Sequence, residues 1–499
     1  MPENISIKSD DLSEIARGQA VVEARQTIEG ECRVLSVSAS CAVTPGEVFA
    51  GEARYGGKVK FDCLVMQDGK ISCVTAVADF SDKISEKSIT AGMNPVITAE
   101  IANTEASFDN GTLKLTAVVD TVAYAVTHCD FACLSEPEQG IYAETRAIEY
   151  CTAVTEMTET AYLTDGMSDV KASEVLCALS HVTVTGAECG EDEVKLTGSV
   201  YTTVVVRTDD DLAASYRMVT PFVKNLSAPG VSSGNVAIAS AAVSDCVATL
   251  TVDGEYRSIE LAITLALSAT VVEKNTASVA VDVFCADNEL ETTYVEAKLC
   301  AVEPLTTVAD SVDGQVALEH DRLAADNVMC VTNTFCTVTQ STVEDKHVSI
   351  EGLVGGDIVY YNAEKNAVDS IAFRLPFAMP LALHTDADAV NITATVTDVA
   401  VKIRRESVFD VKAEITFSAR LTSCKTVKAI GAVKLGDPIE RPDATVIVHI
   451  AKPGETLWQA ARALCCSPEK VAEQNSAQAP YAGGERLVNV CGGRRPSAQ

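Results

Sequence analysis

The residues best suited to chemistry are few and scattered. His128-Cys129-Asp130-Phe131-Ala132-Cys133 sets an imidazole, two thiols and a carboxylate in one short stretch, the ligand types that bind zinc. Zinc sites usually add a second ligand pair at a recognisable distance, and none is evident, so a structural role is expected and no metal is assigned. The acidic runs Asp209-Asp210-Asp211 and Glu191-Asp192-Glu193 lack the alternating ligand pattern of a calcium loop and read as solvated turns. Cys465-Cys466 reads as a packing residue beside an exposed thiol.

A catalytic constellation is also missing from the sequence. The six histidines (His128, His181, His320, His347, His384, His449) are dispersed, and no phosphate loop, dinucleotide fingerprint or Gly-x-Ser-x-Gly elbow is present. The expectation is a protein that is not an enzyme and carries no cofactor.

The strongest local signal lies near the C-terminus. Val446-Ile447-Val448-His449-Ile450 has strand composition, and Lys452-Pro453-Gly454-Glu455-Thr456-Leu457-Trp458 follows it. Thr456 with Gln459 three residues on is a capping box, and Ser467-Pro468 starts a second helix that reaches Asn475. Leu457, Ala460, Ala461 and Leu464 share one helical stripe. Arg486-Leu487-Val488-Asn489-Val490 closes the unit as a strand. Trp458, the only tryptophan, is expected to pack beneath a very small core rather than to stack on a ligand.

The elements that must position this unit fill the rest of the chain. Valine and threonine dominate residues 1–425, in alternating runs separated by turns such as Asp109-Asn110-Gly111 and Asp253-Gly254. Weak anchors recur in order. Val34-Leu35, Val175-Leu176-Cys177 and Val328-Met329-Cys330 lie 141 and 153 residues apart. Each is followed by a strand ending in glycine, at Gly51, Gly198 and Gly352, and then by Asp79-Phe80, Pro221-Phe222 or Pro376-Phe377. Each copy closes on an alternating run, at 113–119, 259–267 and 408–421. The spacing predicts three antiparallel sandwich or barrel-like units, with the chain passing between them near 135–153 and 287–312. Apolar spacing over 11–23 predicts a helix.

Charge limits the partners. The net charge is −31, and 47% hydrophobic residues mean that acidity here does not imply disorder. Residues 445–499 carry +2, leaving −33 on the body, so two separately evolved parts are expected. An acidic body argues against nucleic acid or an anionic membrane surface as partner. The sequence shows no secretory signal and no apolar run of bilayer length, so a cytoplasmic protein is expected, with its 18 cysteines mostly reduced and buried; a disulfide framework is the alternative.

The strand-helix-helix-strand order with Gly454-Glu455-Thr456-Leu457-Trp458 at the first turn resembles a LysM domain. The resemblance implies a ligand or partner groove between Gly454, Glu455, Thr456, Leu457 and Trp458 on one side and Gln474, Asn475 and Ser476 on the other. Three β units followed by one such module resemble the SPOCS-domain proteins of endospore-forming bacteria. That resemblance implies a mainly β chain: SPOCS-like units at 1–140, 141–285 and 286–430, a linker at 431–444 and a βααβ LysM domain at 445–492. It further implies a spore-coat morphogenetic protein of the mother-cell cytosol, joined through the LysM module to a SpoIVA-like coat ATPase scaffold and to other coat proteins. The alternative is a protein binding N-acetylglucosamine glycans of the spore cortex or cell wall.

Overall fold

Valine- and threonine-rich alternation becomes strand along nearly the whole chain. The computed structural model describes residues 3–91, 93, 95–254, 256–318, 325–362, 364–405, 408–439, 446–476 and 478–490. It is mainly β, with several antiparallel sheets and two short helices among the described residues. His320 and parts of the expected linker (440–444) and of the expected C-terminal domain (445, 477, 491–492) lie outside the described residues.

One six-strand plan occurs three times. The first unit is β1 (Glu3–Thr27), β2 (Cys32–Phe49), β3 (Glu52–Gln67), β4 (Lys70–Ser85), β5 (Val96–Asp109) and β6 (Thr112–Glu136). The second is β7 (Ile141–Ser168), β8 (Glu174–Cys189), β9 (Glu193–Arg207), β10 (Ala213–Ser227), β11 (Val236–Asp253) and β12 (Tyr256–Cys285). The third is β13 (Asn288–Val302), β14 (Thr306–Ala317), β15 (Ala325–Glu344), β16 (His347–Asn362), β17 (Ala367–His384), β18 (Ala389–Arg405) and β19 (Val408–Pro438). In each, strands two, three and four form a meander, and the sixth strand lies between the first and fifth. The third unit's first strand is split into β13 and β14 around Pro304, which has no N–H to give to a ladder. Both pieces pair with β19.

Alternation builds the cores. Leu113, Leu115, Ala117 and Val119 of β6 are fully buried, as are Ile259, Leu261, Ile263, Leu265 and Leu267 of β12 and Phe409, Val411, Ala413, Ile415 and Phe417 of β19, or nearly so. Each row packs on the meander of its own unit, one hydrophobic core per unit.

A β-bulge interrupts the second strand of every unit at the same place, after Val34, Val175 and Val328. The bulged residues Leu35, Leu176 and Met329 meet in one apolar cluster with Leu64, Val205 and Val359, so equivalent positions of the three copies converge about a pseudo-threefold axis. The outer halves of the sixth strands extend beyond the units as ribbons, paired with the outer halves of β1 and β7 and with β13. These ribbons share a second cluster of Ile7, Cys133, Ile148, Val279, Leu299 and Ala429.

The predicted helix over 11–23 is strand. β1 pairs with β6 along its length, and a register shift between Glu14 and Ala16 breaks the alternation. That one extra residue places Leu12, Ile15 and Ala16 at helix-like spacing. The expected linker is strand at its start, since β19 runs to Pro438. The long passages expected at 135–153 and 287–312 are mostly strand too, and the loops between units are the short stretches 137–140 and 286–287.

The C-terminal module is β20 (Val446–Ile450), α1 (Leu457–Leu464), α2 (Pro468–Gln474) and β21 (Arg486–Val490), with β20 and β21 antiparallel.

Candidate functional site

The sequence points to the first turn of the C-terminal module, and local chemistry explains its shape. Thr456 Oγ1 accepts from Gln459 N at 3.2 Å, while Gln459 Oε1 accepts from Thr456 N at 2.9 Å, closing the capping box. Ser467 caps α2 through Lys470 N, with Pro468 at the first helical position. Ala460, Ala461, Leu464, Val471, Tyr481 and Leu487 fill the small core.

Glu455 organises the turn. It is buried, its Oε2 accepts from Lys452 N at 2.7 Å, and its Oε1 lies 2.8 Å from His449 Nε2. The backbone donor at Lys452 and then His449 hold its carboxyl below the usual carboxylate range. Gly454, at φ +78°, supplies a backbone that L side chains rarely adopt and donates its N–H to Tyr481 O at 2.8 Å.

The second half of the expected groove is tied to β21. Asn475 Nδ2 donates to Val471 O and Val488 O, and its Oδ1 accepts from Val488 N at 2.7 Å. Gln474 Oε1 accepts from Val490 N at 2.9 Å. Among the described residues no hydrogen bond joins Gly454–Leu457 to 474–476. The polar side chains Glu455, Thr456, Gln474 and Asn475 are all engaged in building the module, and Gly454 and Ser476 are exposed.

Trp458 packs against the module's small core and also meets a second element. The indole packs edge-on to Phe284, with centroids 4.9 Å apart, and Phe284 lies against Tyr142 at 5.1 Å. Its Nε1 donates to Asp282 Oδ2 at 2.8 Å, and Arg462 Nη1 donates to the same oxygen at 2.7 Å. Arg462 Nη2 also reaches Val283 O. Trp458 and Arg462 project one turn apart on α1, so the helix presents an aromatic and a cation together to the end of the β7–β12 ribbon. Trp458 is therefore half-buried at a junction between module and body, where an aromatic body and a polar tip are both satisfied. Asp282, Phe284 and Arg462 belong to no sequence motif, because the contact joins positions 176 and 180 residues apart.

The other candidate residues do not converge. His128 is exposed and hydrogen-bonded to Asp10, whereas Cys133 is buried in the ribbon cluster. Strand alternation sends His128 and the pair Cys129 and Cys133 to opposite faces of β6, so one ion cannot reach all three. Asp192 and Asp211 sit in turns at positive φ; Asp192 accepts from Gly230 N, and Asp211 pairs with Lys70. Cys465 is the αL cap of α1, and Cys466 is buried.

The cysteines are not uniformly reduced. Cys300 and Cys424, directly opposite on β13 and β19, form a disulfide, with Asp11 of β1 beside them; the other described cysteines are free.

Comparisons with protein-family models, with curated proteins and with solved structures found no match for this chain. Among the described residues no helix is long and apolar enough to cross a membrane.

Proposed function

We propose that this chain is a non-enzymatic morphogenetic adaptor of the spore coat, resembling the SPOCS-domain proteins that interact with SpoIVA. The three β units form an acidic, rigid body at the forespore surface in the mother-cell cytosol. The C-terminal LysM-like module binds a SpoIVA-like coat ATPase scaffold, and the body adds weak contacts to other coat proteins that raise avidity.

The observation that carries this reading over glycan binding is the state of the module's polar groups. A sugar site needs convergent polar side chains free to exchange hydrogen bonds. Here Glu455, Thr456, Gln474 and Asn475 already bond within the module. A protein partner needs shape and apolar contact more than free side-chain donors.

The test is calorimetric titration of the full chain, and of a chain ending at residue 439, with the purified scaffold and separately with N-acetylglucosamine oligomers. Saturable binding of the scaffold by the full chain alone is the expected result. Binding of the oligomers instead would overturn the reading and move the protein to the cortex or wall.

A further inference from the structure

The strands that carry the three bulges also run along a cavity. Moving outward from Leu35 on β2 and from Leu176 on β8, the next residues line a small polar pocket that includes Ser38, Asp62, His181 and Asn333. Beyond it the same strands, joined by β1, β5, β6, β7, β11, β12, β18 and β19, line a half-open cavity of about 940 Å³ to which all three units contribute. It ends toward the ribbons near Leu12, so it occupies the axis between the bulge cluster and the ribbon cluster.

Alternation dictates what faces inward. On β5, Ala99 and Ile101 pack into the core of the first unit, which turns Thr98 and Glu100 toward the cavity. On β7, Met157 packs into the second core, and Glu156 takes the cavity side. Ser240 of β11 and Thr393 of β18 do the same. The wall mixes hydroxyls with small aliphatic side chains, and Tyr124 is the one aromatic among its lining residues, so it offers little to a flat ligand and suits an aliphatic chain with polar ends.

Its charges are not balanced internally: Glu100, Glu156, Glu159 and Glu303 line it with a single cation, Arg420. Arg420, the cavity's cation, stacks on Tyr124 with its guanidinium carbon 4.7 Å from the ring centroid, and Asp11 and Glu14 act as its counter-charges. Glu100 and Glu156 have neither an ion pair nor a hydrogen bond among the described residues. Glu100 is open to cavity water yet surrounded by protein. That burial raises its carboxyl above the ordinary range, and Asp120 nearby raises it further. Burial also raises Glu156, opposed only by His128.

We propose that this cavity binds a flexible organic cation of the polyamine class, with Glu100 and Glu156 each taking one ammonium group. An ammonium offers three donors, enough for a carboxylate and neighbouring hydroxyls together. Pairing with an ammonium favours the charged form of each carboxyl and offsets the cost of its surroundings. The volume is at the upper end for small-molecule sites, which suits a chain that bends rather than one that fits rigidly. The body's negative charge concentrates cations at its surface before entry.

The test uses the full chain and spermidine as probe, by equilibrium dialysis and calorimetry at 150 mM salt, about the physiological level. One saturable site per chain is expected, weakened about tenfold or more by either E100Q or E156Q. The double variant E289Q/E291Q removes two exposed charges of β13 outside the cavity and should leave that site unchanged. Binding that does not saturate, or that falls equally in E289Q/E291Q and in E100Q/E156Q, overturns the proposal as mere surface condensation. Amides in place of desolvated carboxyls do not threaten folding, and unchanged circular dichroism verifies this.

Discussion

Phe222 lies directly across from Gly198 on the paired strands β10 and β9, and its ring occupies the space that a side chain on Gly198 would fill. A Cβ there would stand 2.6 Å from Phe222 Cζ and 2.3 Å from Thr183 O. The same pairing recurs as Gly352 with Phe377 and as Gly57 with Phe80. A ring over a bare backbone lets the meander pack closely onto its partner sheet in each unit, and it explains why glycine is retained inside a strand that it would otherwise weaken. Gly198→Ala should therefore destabilise the second unit by about 1–3 kcal/mol, the cost of overpacking against backbone that cannot retreat. Chemical denaturation checks this, and an unchanged midpoint would show that both the Phe222 ring and the Thr183 backbone give way.

How much of this was legible can be judged at those glycines. The anchors at Gly198, Gly352, Phe222, Phe377 and Phe80 mark equivalent positions, but the first copy's glycine was misplaced. Gly51 is a hairpin residue at φ +82°, whereas Gly57 takes the position across from Phe80. The error has a physical source: glycine serves both turns and close approaches, and sequence spacing does not separate the two. The anchors Leu35, Leu176 and Met329 were visible as repeats, yet their meeting at one axis was not, because contacts between positions more than a hundred residues apart leave no local pattern. The module's caps were readable because capping is local. The partner of Trp458 was not, since Asp282 is 176 residues away.

The junction of the module with the body supplies its own reporter. Asp282→Ala removes the shared acceptor of Trp458 Nε1 and Arg462 Nη1; the part-buried indole bond to a charged group is worth about 1.5–3 kcal/mol and the exposed Arg462 pair about 0–1 kcal/mol. Release should expose the indole, and because Trp458 is the only tryptophan the whole emission spectrum should shift to the red. The far-ultraviolet circular dichroism should stay unchanged, since both parts keep their own cores. An unshifted spectrum would mean that Phe284 alone holds the module in place.

The disulfide bears on compartment. Cys300 and Cys424 are 124 residues apart in sequence, so the bond constrains the unfolded chain by about 4–5 kcal/mol in the loop-entropy treatment. Protein purified without reductant should yield one linked peptide pair, Cys300 with Cys424, by mass mapping, and Cys300→Ser should lower its denaturation midpoint. In a reducing cytosol the pair is expected as two thiols. Trapping thiols with an alkylating agent at the moment of lysis discriminates: two alkylated cysteines support the proposed cytosolic location, and a linked pair opposes it.

Acid should loosen the module before the body, and the sign follows from two carboxyls. Glu455 is held down by the Lys452 N–H and His449, and Glu485 by backbone N–H groups including those of Ala482 and Gly483. A carboxyl whose folded pKa lies below its unfolded one stabilises the fold above the unfolded value, ordinarily about 4.3 for glutamate, and loses that contribution as pH falls through the folded value. In the body, Glu23, Glu52 and Asp386 are likewise held down, by Lys114, Lys83 and Lys346, but they are offset by Glu100, Glu156, Asp11 and Asp357, which are raised chiefly by burial so that their protonation on acidification favours the folded state. Lowering pH below about 4 should therefore shift Trp458 emission before the β signal near 215 nm changes, the region where strands absorb. Glu455→Gln should abolish most of the early step while keeping the capping box. Simultaneous loss of both signals would show that module and body unfold as one unit.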